Sequence, residues 1–154
     1  IKHSRVARSN ISAFTMLGAQ VTLVAPPTLM PAHTNQWPVR VSHSLDEVIA
    51  STDVLYMLRL QSERMDQGLI PNLGEYGNRF GLTDVRAQKL QSSAVVMHPG
   101  PMNRGVEMHV DPSDLPNSLI HKQVANGVSV RMAVLFDALA RDAEVNSLKE
   151  EVGA

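Results

Sequence analysis

Three short apolar runs constrain this chain most: Val21-Thr22-Leu23-Val24-Ala25, Val54-Leu55-Tyr56-Met57-Leu58 and Val95-Val96-Met97. Each is rich in β-branched residues, bounded by turn or polar residues, and of strand rather than helix length. Helical patterns lie between and around them. Residues 9–19 open on Ser9 and Asn10 as caps and place Ile11, Ala13, Phe14 and Leu17 at helical spacing before Gly18. Ser44 with Glu47 three residues later has capping-box spacing, and Leu45, Val48 and Ile49 supply an apolar face. Thr83 to Leu90 reads as a short helix capped by Thr83, and Gly127 to about Val145 as a long one with a wide apolar surface, suited to packing on more than one partner surface. Alternation of this kind predicts an α/β fold: a parallel sheet flanked by helices on both faces, Rossmann-like and doubly wound, in a single domain.

The remaining stretches read as connections. Residues 28–41 hold Pro31, Trp37 and Pro38 without a clear period, and 66–80 carry Gly68, Pro71, Gly74 and Gly77, so both are expected as loops. Residues 1–145 are expected to form the domain and 146–154 a flexible polar tail. Ile1-Lys2-His3-Ser4-Arg5 runs straight into a helical pattern with no full strand before it, which is the start expected of a fragment that opens inside an element.

Bulk properties narrow the function classes. A net charge of -1 over 154 residues gives no electrostatic reason to expect nucleic acid or an anionic membrane as partner. The few aromatic residues, Phe14, Trp37, Tyr56, Tyr76, Phe80 and Phe136, offer little for stacking on bases. The chain has no cysteine, which excludes disulfides and thiol chemistry and fits a cytoplasmic location. No apolar run approaches the roughly 18 residues that span a bilayer. The histidines lack metal-ligand spacing, and Gly-x-Gly-x-x-Gly, P-loop and Gly-x-Ser-x-Gly patterns are absent, so neither a metal nor a nucleotide cofactor is expected.

Chemistry concentrates in three places. The third apolar run breaks into His98-Pro99-Gly100-Pro101, a sequence that cannot resume a sheet, at the carboxyl end of a strand where open α/β sheets bind ligands. His98 there serves either as a general acid or base or as a support for the loop. Arg59 and Gln61 follow the second run and share one side of the strand. They either grip a carboxylate, with the guanidinium giving two parallel bonds, or form a solvated strand end. Arg5 and Arg8 flank a helix start, against the macrodipole, which suits an anionic ligand there or an ordinary exposed arginine. Together these suggest a small polyanion as ligand, such as a dicarboxylate or a phosphate ester.

The runs Lys2-His3-Ser4-Arg5-Val6-Ala7-Arg8-Ser9-Asn10, Met57-Leu58-Arg59-Leu60-Gln61-Ser62-Glu63-Arg64-Met65 and Met97-His98-Pro99-Gly100-Pro101-Met102-Asn103-Arg104-Gly105, with Asn126-Gly127-Val128 and Arg131-Met132-Ala133, resemble the catalytic chain of the aspartate carbamoyltransferases. The resemblance covers almost the whole chain but only the C-terminal, aspartate-binding half of the family's chain. The Ser-Thr-Arg-Thr-Arg loop of the family's carbamoyl phosphate domain is not found. It implies that Arg5, Arg59 and Gln61 bind L-aspartate and that Pro99 and Gly100 present backbone carbonyls to carbamoyl phosphate, with His98 in support. It further implies a homotrimer, no metal or cofactor, and a reaction that yields N-carbamoyl-L-aspartate and phosphate in de novo pyrimidine biosynthesis. Without the N-terminal domain the fragment is expected to be inactive alone.

Two other readings stand beside this one. An ornithine-type carbamoyltransferase shares the fold and the first substrate, but its cysteine-containing loop and Ser-Met-Gly motif are missing here. A non-catalytic carbamoyltransferase-like structural or regulatory domain would have no need of the Arg5, Arg59, Gln61 and Pro99-Gly100 set.

Overall fold

The computed structural model describes residues 1–2, 4–60 and 72–152, with backbone alone over 141–152. The chain forms two compact units, Ile1–Ile120 and His121–Ala154. The first contains parallel strands interleaved with helices, the α/β class that the apolar runs predict.

Helix α1 spans Arg5–Met16. Its cap is Ser4, whose hydroxyl accepts the Ala7 N–H at 3.1 Å. Ser9 and Asn10, expected as caps, lie inside the helix instead, and the Ser9 hydroxyl donates back to the Arg5 and Val6 carbonyls. Ala7 and Ile11, four apart, form the buried stripe, and Phe14 meets Tyr56 edge-on at 6.4 Å between ring centroids. Leu17 falls past the end of the helix and is exposed.

Strand β1 (Val21–Val24) pairs in parallel with β2 (Val39–Ser42), in register Val21↔Val39 to Val24↔Ser42. The sequence pattern placed β2 within a loop. Its residues are only half-buried or exposed, so it carries no apolar run, and Pro38 stands just before it. Strand β3 (Val54–Tyr56) pairs in parallel with β4 (Val95–Met97), in register Val54↔Val95 to Tyr56↔Met97. The other edge of β4 is taken by residues 117–119: the Val96 N–H donates to Asn117 O, and Leu119 N–H donates to Val96 O. Among the described residues the strands thus form two parallel pairs.

The expected helix after Ser44 is replaced by tight turns ending in a short 3-10 segment, Ile49–Ser51. Glu47 does not reach back to Ser44. Its carboxylate accepts the Ser42 hydroxyl at 3.2 Å, and Ser42 Oγ in turn accepts the Ser44 N–H. The capping box is thereby displaced by a hydroxyl two residues earlier.

The expected loop before residue 80 contains helix α2 (Leu73–Phe80), capped by Asn72, whose side-chain oxygen accepts the Glu75 N–H at 2.7 Å. Gly77 within it serves packing rather than a turn. A Cβ on Gly77 would lie 2.9 Å from Val106 O, and one on Gly81, just past the helix, 2.5 Å from the same oxygen. Helix α3 (Asp84–Ala87) is capped by Thr83 as expected. Arg86 on it is buried, donating to Gly81 O at 2.7 Å and to Asp46 through Nε and Nη2. The core between these elements is built from Leu45, Ile49, Leu55, Leu82, Val96 and Met108 with their neighbours.

In the second unit, helix α4 (Ile120–Val152, its first residue in the first unit) begins seven residues before Gly127, where the pattern placed its start. Its trace continues through 146–152, the stretch read as tail. Gly127 sits in its interior and is exposed. Val128, Val130, Met132, Val134, Leu135, Phe136 and Leu139 are each more than half exposed.

Candidate functional site

The register of β3 and β4 decides where the candidate residues lie. Tyr56 faces Met97, and the Met57 N–H donates to Met97 O at 2.9 Å. The two chains therefore leave the sheet side by side, one as Leu58-Arg59-Leu60 and the other as His98-Pro99-Gly100. Arg59 is half-buried; Pro99 and Gly100 are half-buried as well. Gly100 has φ 67°, a left-handed conformation that favours glycine, and the Gly100-Pro101 bond is cis.

His98 is wholly buried. Its Nδ1 accepts the Gly100 N–H at 2.9 Å, which leaves the ring proton of the neutral tautomer on Nε2. Nε2 lies 3.4 Å from Oε1 of Glu107, a carboxylate that is also wholly buried. The same Oε1 accepts the Asn103 N–H at 2.6 Å, and Oε2 lies 3.5 Å from the Leu60 N–H. Asn103 completes the knot by donating from Nδ2 to Leu60 O at 3.0 Å. The loop after β4 and the segment that follows β3 are thus tied to each other through one acid and one amide.

Burial pushes the Glu107 carboxyl up. Hydrogen bonds from His98 and from the backbone of Asn103, Glu107 and Leu60 outweigh it and hold the group below its ordinary value. Its charge has a second effect on Tyr76, whose phenol is pushed up to about 12, first by burial and then by Glu107. Tyr76 stacks on Phe80 at 5.3 Å and packs against the cluster of Ala25, Leu29 and Leu60.

Arg5 is the first residue of α1 and exposed. Ile1, four residues earlier, packs on the Ala25, Leu29 and Leu60 cluster, which brings the helix start to the end of β3. No acidic residue occupies the first turn of α1. Arg8 is accounted for otherwise: its guanidinium sits 5.8 Å from the centroid of Trp37. Arg104 is exposed and pairs with Asp111 at 3.0 Å. Gln61 lies outside the described residues.

A cavity of about 820 Å³ opens between β1 and β3, with Lys2, Ser4, Tyr56, Arg59 and Leu60 in its wall; Arg5, Pro99 and Gly100 are not part of that wall. The structure therefore groups Arg59 with the Pro99-Gly100 loop through the sheet register, and Arg5 with Leu60 through Ile1. Sequence reasoning missed Glu107 and Asn103. The available signal was a lone acid between two apolar residues, Val106 and Met108, a few residues past the Pro-Gly-Pro break.

Parallel strands thus deliver an arginine and a Pro-Gly-Pro loop to neighbouring carboxyl ends of an α/β domain, where open sheets of this class bind ligands. The family model described as aspartate/ornithine carbamoyltransferase, Asp/Orn binding domain, matches residues 2–137, and the chain belongs to that family. The aspartate carbamoyltransferase catalytic subunit of Thermobifida fusca is 53% identical over 136 residues, covering 88% of this chain and 44% of that protein. The subunit of the same name from Leifsonia xyli is 50% identical over 145 residues, covering 94% and 46%. The chain spans a little under half the length of these relatives. Among solved structures, aspartate transcarbamoylase from Trypanosoma cruzi in complex with N-(phosphonacetyl)-L-aspartic acid superposes with TM-score 0.62 at 30% identity, covering 75% of this chain and 39% of that one. A putative aspartate carbamoyltransferase from Leishmania major gives TM-score 0.61 at 27% identity, covering 84% and 45%.

Proposed function

We propose that residues 1–145 form the aspartate-binding half of an aspartate carbamoyltransferase catalytic chain, with 146–154 as its tail. In this reading Arg5 and Arg59 take the carboxylates of L-aspartate and Gln61 adds a neutral contact. The carbonyls of Pro99 and Gly100 hold the amide of carbamoyl phosphate, and His98 supports the loop through the Gly100 N–H. The aspartate amine adds to the carbamoyl carbon, and the tetrahedral intermediate expels phosphate to leave N-carbamoyl-L-aspartate. Orienting two substrates and stabilising the developing charge supply the acceleration, with no covalent enzyme intermediate. A carbamoyl phosphate domain and a neighbouring subunit of a homotrimer provide the other anion contacts, in a cytoplasmic enzyme of de novo pyrimidine biosynthesis.

Family membership over residues 2–137 is the observation that carries the reading. The side-by-side exit of Arg59 and Pro99-Gly100 from paired strands supports it from the geometry. The test is N-carbamoylaspartate formation by the 154-residue chain and by the complete enzyme, in which this region is joined to its carbamoyl phosphate domain. Robust turnover is expected of the complete enzyme and negligible turnover of the chain alone. Comparable rates would overturn the dependence on a second domain, and no product from the complete enzyme would overturn the function.

A further inference from the structure

We infer that Glu107 is a positioning residue for carbamoyl transfer, holding the Arg59-bearing segment that follows β3 and the Pro99-Gly100 turn in one rigid frame. The inference rests on the function proposed above and adds to it a residue that touches neither substrate.

A wholly buried carboxylate is costly unless it is hydrogen-bonded, so its presence at this point calls for a reason. A buried apolar side chain would fill the same space. What only a carboxylate can do here is accept from donors on two different loops at once. Oε1 serves the loop after β4, taking the Asn103 N–H and facing His98 Nε2, while Oε2 faces the Leu60 N–H in the segment that follows β3. His98 extends the first arm to the Gly100 N–H. Asn103 reinforces the second by donating to Leu60 O. Each arm therefore ends one residue from a group assigned to substrate or on it: Arg59 beside Leu60, Gly100 beyond His98.

Reaction between two bound molecules depends on the separation of the elements that hold them, and a shift of about 1 Å costs up to about 100-fold in rate. Glu107 sets that separation between β3 and the Pro-Gly-Pro loop.

The test is made in the complete enzyme. Glu107→Gln keeps the volume but turns one acceptor oxygen into a donor, so one arm meets an N–H with an NH2. The expected result is a kcat about 10- to 100-fold lower with both KM values changed less than about threefold, in protein that remains folded by circular dichroism. Glu107→Asp keeps the charge but draws the carboxylate back, so that it no longer reaches the Asn103 N–H and the Leu60 N–H together, and is expected to lower kcat in the same direction by a smaller factor. It decides the matter if Glu107→Gln does not fold. A kcat within about twofold of the parent in a folded Glu107→Gln or in Glu107→Asp, or a loss that only follows the folded fraction, overturns the inference while leaving the function intact. An inactive parent enzyme would overturn the function and this role together.

Discussion

The side chains of His98 and Glu107 meet at 3.4 Å, Nε2 to Oε1, with both residues wholly buried. His98 comes from the end of β4 and Glu107 from beyond the loop that β4 feeds. The contact therefore closes the loop on itself, and Glu107 carries the connection on to Leu60 in the segment that follows β3. A histidine beside a Pro-Gly-Pro break looks from sequence like an acid or base catalyst. Here one ring nitrogen is engaged by Gly100 and the other faces an acid, an arrangement that fixes loop shape.

Acid should loosen this knot. The Glu107 carboxyl is held below its ordinary value of 4.5: burial raises it, but the bonds from His98 and from backbone N–H groups outweigh that. A group whose folded value is depressed stabilises the fold above its unfolded value and loses that contribution as pH falls through the folded one. Denaturation midpoints are expected to be insensitive to this group above about pH 5 and to fall below about pH 4.5. In Glu107→Gln that part of the acid slope should be missing. An unchanged slope in the variant would show that Glu107 is not the group responsible.

Arg59 tests the assignment of substrate. On the function proposed above, removing it from the complete enzyme takes away a charge-assisted, bidentate contact of the kind worth about 1.5–3 kcal/mol, or more than tenfold. Arg59→Ala is expected to raise the aspartate KM or lower kcat/KM for aspartate by at least that factor. Initial-rate kinetics with each substrate varied in turn make the comparison. If only the carbamoyl phosphate constant moved, Arg59 would belong to the other substrate.

The elements legible in the sequence were those buried enough to need a continuous apolar run or a matching cap. Strands β1, β3 and β4 and the Thr83 cap of α3 fall in that class. Strand β2 was missed because its residues are partly exposed, so it alternates too weakly to stand out beside Trp37 and Pro38. Helix α2 was missed because Gly74 and Gly77 read as breakers, although the Gly77 position is set by a backbone oxygen nearby. Ser44 and Glu47 matched a capping box that the Ser42 hydroxyl pre-empts. In the site, Arg59 and the Pro-Gly-Pro loop carry local signatures. Glu107 does not, since its partners Leu60 and His98 come together only when β3 and β4 pair.

Arg86 and Asp46 form a pair whose halves should weigh differently. Arg86 is buried and also holds Gly81 O, whereas Asp46 is substantially exposed and shared with Lys89 at 2.8 Å. Hydrogen bonds from Arg86 and then Lys89 pull the Asp46 carboxyl down to about 2. Solvent screening at this half-open site keeps that shift from translating into much stability. Arg86→Ala strands a buried carbonyl and leaves packing unfilled, and is expected to cost about 2–3 kcal/mol. Asp46→Asn should cost no more than about 1 kcal/mol. Urea denaturation of both variants makes the comparison, and equal losses would contradict the asymmetry.

Gly77 and Gly81 lie where α2 meets the backbone of the 105–109 loop, and Gly127 lies in open space on α4. A Cβ at Gly77 would sit 2.9 Å from Val106 O and 3.2 Å from Gly105 O, and one at Gly81 would sit 2.5 Å from Val106 O and 2.6 Å from Gly77 O. These neighbours are backbone atoms, so relief requires α2 and the 105–109 loop to move apart and, at Gly81, the end of α2 to shift as well. Gly77→Ala, despite the better helix propensity of alanine, and Gly81→Ala, just past the helix, are each expected to destabilise by about 1–3 kcal/mol. At Gly127 a Cβ would meet nothing within 4 Å, so Gly127→Ala should instead raise helix stability by up to about 1 kcal/mol. Thermal unfolding followed by circular dichroism separates the two signs. A neutral or stabilising Gly81→Ala would mean that α2 does not approach the Val106 carbonyl as closely as described. The loop carrying Glu107 would then have slack, which the tie to Leu60 and Asn103 does not allow.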